Sequence, residues 1–236
     1  GTQIPQASGY AYGQKMAGNE AVTICYFGEG AASEGDFHAG VNMAAVLNCP
    51  VIFFCRNNGY AISTPSEEQF AGDGIASRGI GYGVKTIRVD GNDPLAVFAA
   101  TQEARRIALA EMCPVLIEAM TYRLAAHSTS DDPTGYRSRD EEDKWRAKDP
   151  IARMANWLTH KGWFDEKQNK AKVDKARQDV LAALKVSETI PICGIEEIVE
   201  DVYDSVPWHL QDQLTSLKAH IKQYPKKYPK TSGSVR

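Results

Sequence analysis

The chain has 236 residues, 43% hydrophobic and 24% charged, which is the balance of a globular protein with enough length for a substantial core. A formal net charge of −3 and a pI near 6.0 give no electrostatic footprint for nucleic acid or an anionic membrane surface. No apolar run approaches the roughly 20 residues that span a bilayer, so neither a nucleic acid nor a membrane is an expected partner.

The chain opens on "GTQIPQASGYAYG", without an initiator Met or a signal or transit sequence, and leads directly into a helix-like segment. It reads as a trimmed or partial chain. "AVTICYF" (21–27) is a nearly continuous apolar and β-branched run, the pattern of a strand buried on both faces. After a Gly-rich turn, Ser33 and Asp36 have the spacing of a capping box, and Phe37, Val41, Ala44 and Ala45 repeat at helical intervals. Pro50 punctuates, and "VIFFC" (51–55) reads as a second buried strand, which completes a βαβ unit with a right-handed crossover.

A Gly-rich loop (59–83), a strand "VKTIRV", a turn "DGNDP", a helix over 94–112 and a strand "PVLIEAMTYR" follow. The fold class is therefore α/β, a doubly wound parallel sheet over residues 1–150. Residues 127–150 are polar and clustered in charge and read as an exposed loop. Beyond Pro150 the pattern is helical, with a helix over 151–163, a charged helix around 165–185, another near 206–222 and a tail "QYPKKYPKTSGSVR". Residues 151–236 are thus a helical C-terminal extension, expected to pack on the first domain or on partner subunits. Five scattered cysteines without a CxxC pair read as reduced, mostly buried thiols of a reducing compartment.

Ligands of open α/β sheets bind outside the carboxyl ends of the strands. Gly28-Glu29-Gly30 follows the first strand and Asn57-Asn58 follows the second. Adjacent parallel strands bring these ends together, so Glu29, Asn58 and a carbonyl near Tyr60 offer hard oxygen ligands suited to Mg²⁺ or Ca²⁺. Gly30 and Ala31 present backbone N–H groups near a helix start, and Arg56 is a charge-assisted donor to phosphate oxygens. The set predicts a metal–diphosphate site. By residue type alone, glycines and asparagines after strands are also ordinary turn residues.

Gly-acid-Gly, 26 residues (31–56) and Asn-Asn is similar to the signature by which thiamine diphosphate enzymes hold Mg²⁺ and the diphosphate, with Glu29 where Asp is usual. "GEGAASEGDFHAGVNMAA", "FFCRNNGYAISTP", "RVDGNDPLAVFAAT", "LIEAMTYR" and "HSTSDDPTGYRS" together resemble the alpha subunits of branched-chain 2-oxoacid dehydrogenases over essentially the whole chain, apparently without their N-terminal portion. Pyruvate-specific relatives typically show Gly-Asp-Gly, Glu-Asn-Asn and a single Asp after the His-Ser pair.

The resemblance implies a sheet of the thiamine diphosphate-binding type. It implies Mg²⁺ ligands Glu29, Asn58 and the Tyr60 carbonyl, with diphosphate contacts from Gly30, Ala31, Arg56 and His127. Thr2 and Gln3 resemble the end of a potassium-binding loop. His127 opens the polar loop at the same sheet edge, where an imidazole can donate to a phosphate or shuttle protons near neutral pH. Ala126 stands where many relatives carry a second His.

Ser128 and Ser138 match inhibitory phosphorylation sites of mitochondrial members, and Arg123, Asp131, Tyr136 and Arg137 are expected to order their loop. The activity implied is oxidative decarboxylation of branched-chain 2-oxoacids, with acyl transfer to a lipoyl group. The partners implied are a beta subunit in an α2β2 heterotetramer, which carries the glutamate that activates the cofactor, a dihydrolipoyl transacylase core, and a regulatory kinase and phosphatase. The compartment implied is the mitochondrial matrix, or the cytoplasm for a bacterial member. A pyruvate or acetoin dehydrogenase alpha subunit and a non-catalytic assembly subunit stay open as alternatives. His38, His160, His209 and His220 lie on helix-like segments and read as structural.

Overall fold

The computed structural model describes residues 1–190 and 192–228; the predicted tail beyond Tyr228 lies outside them. The chain divides into two compact units, Gly1–Phe164 and Asp165–Arg236. The composition change at residue 150 therefore precedes the observed division, which leaves one more helix in the first unit.

The first unit opens with α1 (Gln3–Met16), followed by β1 (Thr23–Gly28), a single turn α2 (Glu29–Ala32), α3 (Gly35–Val46) and β2 (Val51–Asn57). The predicted Gly-rich loop holds a hairpin of two-residue strands, β3 (Tyr60–Ala61) and β4 (Thr64–Pro65), and two short helices, α4 (Ser66–Gln69) and α5 (Ala76–Gly81). Then come β5 (Lys85–Asp90), α6 (Pro94–Glu111) and β6 (Val115–Met120). Residues 127–150, expected to be loop, contain a 3-10 turn and an eight-residue helix, α7 (Arg139–Arg146), and α8 (Pro150–His160) follows.

Among the described residues the main sheet is β1-β2-β6-β5, parallel throughout. Alternation along β2 explains its unbroken apolar run. Val51, Phe53 and Cys55 join a core with Ile4, Ala7 and Ala11 of α1 and Phe37, Val41 and Ala44 of α3. Ile52 and Phe54 face the opposite core, built with Ala104 and Ala108 of α6. Helices thus cover both faces, the doubly wound arrangement that the alternating elements predict. Burying a side chain such as Phe37 completely is worth about 1.5–3 kcal/mol.

The start of α3 departs from the capping-box expectation. Glu34 is its N-cap and gives no side-chain cap. Ser33 instead closes α2, with its hydroxyl near the Glu29 carbonyl at 3.4 Å and Gln69 Oε1 at 3.3 Å. All five cysteines are free, and Cys25, Cys49 and Cys55 are buried. No helix among the described residues is long and apolar enough to cross a membrane.

The second unit is helical, with α9 (Glu166–Thr189), α10 (Glu197–Glu200) and α11 (Trp208–Gln223). Asp165 caps α9 by accepting from the amides of Lys167 and Gln168. A Lys218–Glu196 ion pair of 2.7 Å links α11 to the residue that precedes α10.

Candidate active site

The carboxyl edge of the sheet is formed by Gly28, Asn57, Asp90 and Met120. Register places Gly28 beside Arg56 and Asn57 beside Met120. Glu29 begins α2 directly after β1, and it is 1% exposed. Its Oε2 accepts the backbone N–H of Asn58 at 3.0 Å. Its Oε1 is buried without a hydrogen-bond partner. An unpaired buried oxygen costs about 1–3 kcal/mol, so the site calls for a cation or donor at that atom.

Asn58 Oδ1 accepts the Tyr60 N–H at 3.1 Å, which curls the chain into an Asx turn. The Tyr60 carbonyl accepts from Arg123 Nη1 at 3.3 Å and retains a second lone pair. Glu29, Asn58 and Tyr60, 31 positions apart at the extremes, are thus joined by consecutive hydrogen bonds. The donors are one carboxylate, one amide oxygen and one carbonyl, an all-oxygen set fitted to a hard cation that also takes ligands from a phosphate. Among the described residues, no group of three or more His, Cys, Asp or Glu is gathered for a metal.

Gly30 and Ala31 occupy the first turn of α2, where backbone N–H groups lack intrahelical acceptors. Gly30 also has a packing reason to be glycine: a Cβ there would lie 2.8 Å from Ala61 Cβ, so the turn after β1 and the hairpin strand β3 press together. Arg56 is exposed at the end of β2. Thr2 is the N-cap position of α1, and Gln3, its first residue, reaches β1 through Nε2 to the Tyr26 carbonyl at 3.5 Å.

His127 is exposed, and its backbone N–H is held by Asp131 Oδ2 at 2.8 Å. Asp131 also accepts from Tyr136 Oη at 2.7 Å, and Tyr136 Oη accepts from Arg123 Nη2 at 2.9 Å. The His127 backbone interaction and then Tyr136 hold the Asp131 carboxyl below its ordinary range. Since Arg123 also binds the carbonyls of Tyr60 and Ile62, the His127 loop is tied to the hairpin beside Glu29.

Arg137 stiffens the same loop from below. Its side chain is 1% exposed, pairs with Glu142 at 2.7 Å, and donates to the carbonyls of Arg123, Leu124 and Ala125. Ser128 is exposed, with its hydroxyl 3.2 Å from that of Ser130. Ser138 caps α7, accepting the Glu141 N–H at 3.2 Å. Of the other histidines, His38 pairs with Tyr82 Oη at 2.7 Å, a helix-packing contact.

Three residues of the site's surroundings, Glu141, Trp145 and Glu118, are not expected there from the sequence, whereas Asn57 belongs to the Asn-Asn pair. Glu141 accepts from Tyr60 Oη at 2.8 Å, and burial together with this bond pushes the phenol up to about 12. Trp145 stacks on Tyr122 with centroids 5.2 Å apart and planes at 7°. Asn57 and Glu118, both buried, are bonded at 2.8 Å. Only Glu118 leaves a signal, as a lone acid in the apolar run "VLIEAM".

Known proteins give the context. The chain is 56% identical over 229 residues to the human mitochondrial 2-oxoisovalerate dehydrogenase subunit alpha, covering 97% of this chain and 52% of that protein. It is 55% identical over 230 residues to the Dictyostelium discoideum protein of the same name, and 47% identical over 229 residues to subunit alpha 1 of Arabidopsis thaliana. Both alignments cover 97% of this chain, with 52% and 48% of the respective relatives. The chain therefore spans about half the length of the curated relatives it matches. A family profile covers residues 1–196, sheet and site included, and the chain belongs to the dehydrogenase E1 component family.

Proposed function

We propose that this chain is the alpha subunit of a branched-chain 2-oxoacid dehydrogenase. It would decarboxylate branched-chain 2-oxoacids with thiamine diphosphate and pass the acyl group to a lipoyl group of a dihydrolipoyl transacylase core. The observation that carries the reading is Glu29, a buried acid at the sheet's carboxyl edge with one oxygen fixed by Asn58 and the other unpaired. The relatives' names and the Gly-Glu-Gly, Cys-Arg-Asn-Asn and His-Ser-Thr-Ser-Asp-Asp segments support the branched-chain class.

Thiamine diphosphate, when bound, supplies the nucleophilic carbon that attacks the 2-oxo group and the electron sink for loss of carbon dioxide. The residues of this chain anchor and orient. Glu29, Asn58 and the Tyr60 carbonyl would hold Mg²⁺. The amides of Gly30 and Ala31, with Arg56, would neutralise diphosphate charge. His127 would donate to the diphosphate or hold a proton beside it, in a loop ordered by Arg123, Asp131, Tyr136 and Arg137. Thr2 and Gln3 would contribute to a structural K⁺ site.

A phosphate on Ser128 would add roughly −1.5 to −2 charges beside an anion site and block it, which makes Ser128 the switch of a kinase and phosphatase. A phosphate on Ser138 would remove the α7 cap. The assembly is an α2β2 heterotetramer of the mitochondrial matrix, with the cofactor-activating glutamate on the beta subunit.

The test is carbon dioxide release by the chain purified with its beta subunit, using 3-methyl-2-oxobutanoate and pyruvate. Preferential turnover of the branched acid is expected. A preference for pyruvate would reassign the substrate, and no saturable thiamine diphosphate binding would make the chain a non-catalytic subunit.

A further inference from the structure

Glu118 is the only ionisable residue of β6, is fully buried at 0% exposure, and has no role in the machinery above. Its Oε1 accepts from Asn57 Nδ2 at 2.8 Å and from the Ile75 N–H at 2.9 Å. Its Oε2 accepts from the Ala76 N–H at 2.9 Å and from Arg88 Nε at 3.0 Å. These partners are not scattered: Asn57 ends β2 and Ile75-Ala76 starts α5, so one carboxylate touches both ends of the segment that carries Asn58 and Tyr60.

Gly74 makes the return possible. It has a φ of +68°, and a Cβ there would lie 2.7 Å and 2.9 Å from the two Glu118 oxygens. Asn57 transmits the constraint forward, because its Oδ1 accepts the Gly59 N–H at 3.1 Å while its carbonyl accepts from Thr121 at 2.8 Å. Arg88 is itself held by Asp73 at 2.9 Å, which fixes the β5 side. Burial raises the carboxyl's proton affinity, but Asn57, the two amides and Arg88 outweigh that and hold it below the ordinary range. The acid is thus kept in its acceptor-only form, matched by four donors.

We propose that Glu118 is the positioning residue of the metal loop: it clasps the two ends of segment 57–76 so that Asn58 and Tyr60 are held against Glu29. The inference rests on the metal-site reading of Glu29, Asn58 and Tyr60. Asn57 is the link, because its side chain alone joins Glu118 to the turn.

The experiment compares wild type, Asn57→Ala, Glu118→Gln and the core control Ile117→Ala, all as the assembled complex. Two quantities are read, amide exchange at Asn58–Tyr60 without ligand and the Mg²⁺ dissociation constant with thiamine diphosphate present. Asn57→Ala leaves the other three donors of Glu118 in place and is the variant expected to fold even if Glu118→Gln does not.

The expected result is exchange faster by about tenfold and Mg²⁺ binding weaker by about tenfold in Asn57→Ala, the scale of one lost hydrogen bond. Ile117→Ala should lower the melting temperature and leave both readouts unchanged. Unchanged values in Asn57→Ala, or equal changes in the Ile117 control, would overturn the proposal. A wild type that takes up no Mg²⁺ would overturn the site reading instead, and the exchange result alone then decides whether Glu118 clasps the loop.

Discussion

Replacing Glu29 by Gln separates two properties of the same side chain. The amide oxygen of Gln can keep the 3.0 Å bond from the Asn58 N–H, while its NH2 takes the place of the oxygen that has no partner. Without ligand, the change removes a buried carboxylate oxygen whose unpaired state costs about 1–3 kcal/mol and leaves an unpaired amide donor of similar or smaller cost. The melting temperature should hold or rise slightly, since about 1 kcal/mol moves a chain of this size by about 2–4 °C.

Ligand reverses the ranking. At Mg²⁺ and thiamine diphosphate near 100 times their dissociation constants, the wild type gains about 2.7 kcal/mol, roughly 5–11 °C. Gln has no charge to offer the cation, so Glu29→Gln should gain almost none of this. The assay is thermal unfolding of the assembled complex by circular dichroism, with and without ligands. A variant that melts several degrees lower without ligand, or that keeps the wild-type shift, refutes the assignment.

Three further outcomes are expected. Gly30→Ala would set a Cβ 2.8 Å from Ala61 Cβ and cost about 1–3 kcal/mol by overpacking; adding Ala61→Gly should restore most of that, read by denaturant unfolding as a non-additive double-mutant cycle. Arg137→Met breaks the buried pair with Glu142 and unties three carbonyls, a loss of about 3–5 kcal/mol, and limited proteolysis should then cut within 127–138 before the sheet unfolds. Tyr60 holds its proton more tightly folded than unfolded, as Tyr122 and Tyr136 also do, so stability should fall as pH rises from 10.0 to about 12; Tyr60→Phe should make that stretch of the denaturation-midpoint profile less steep, and an unchanged slope would refute the assignment.

The sheet was legible because its signals are local. β2 and β6 are nearly continuous apolar runs, as strands covered on both faces must be, and Asp93-Pro94 announces α6 by cap and ring; β1 carries the same composition but leaves Ile24 and Tyr26 exposed, because no helix among the described residues covers that face of the edge strand. Glu29 and Asn58 were legible for the same reason, each standing directly after a strand whose neighbour could be inferred.

The departures come from a competing local turn and from contacts distant in sequence. The Ser33–Asp36 spacing suggested a cap, but Ser33 is spent closing α2, a turn whose four residues carry no periodicity. α7 is written in charges, and it docks through the stacking of Trp145 on Tyr122, the Glu141 bond to Tyr60 and the Glu142 pair with buried Arg137. Glu118 takes donors from positions 57, 75, 76 and 88, a convergence no sequence window contains.

The role proposed for Glu29 and Asn58 is to anchor a divalent cation carrying a diphosphate. Mn²⁺ in place of Mg²⁺ tests it most directly, by the electron paramagnetic resonance signal of free Mn²⁺ in the assembled complex. Adding thiamine diphosphate should drive stoichiometric uptake of Mn²⁺ by the wild type, and Glu29→Ala should abolish that uptake. An unchanged Mn²⁺ dissociation constant in Glu29→Ala, or no uptake by the wild type, would rule out a cation site at Glu29.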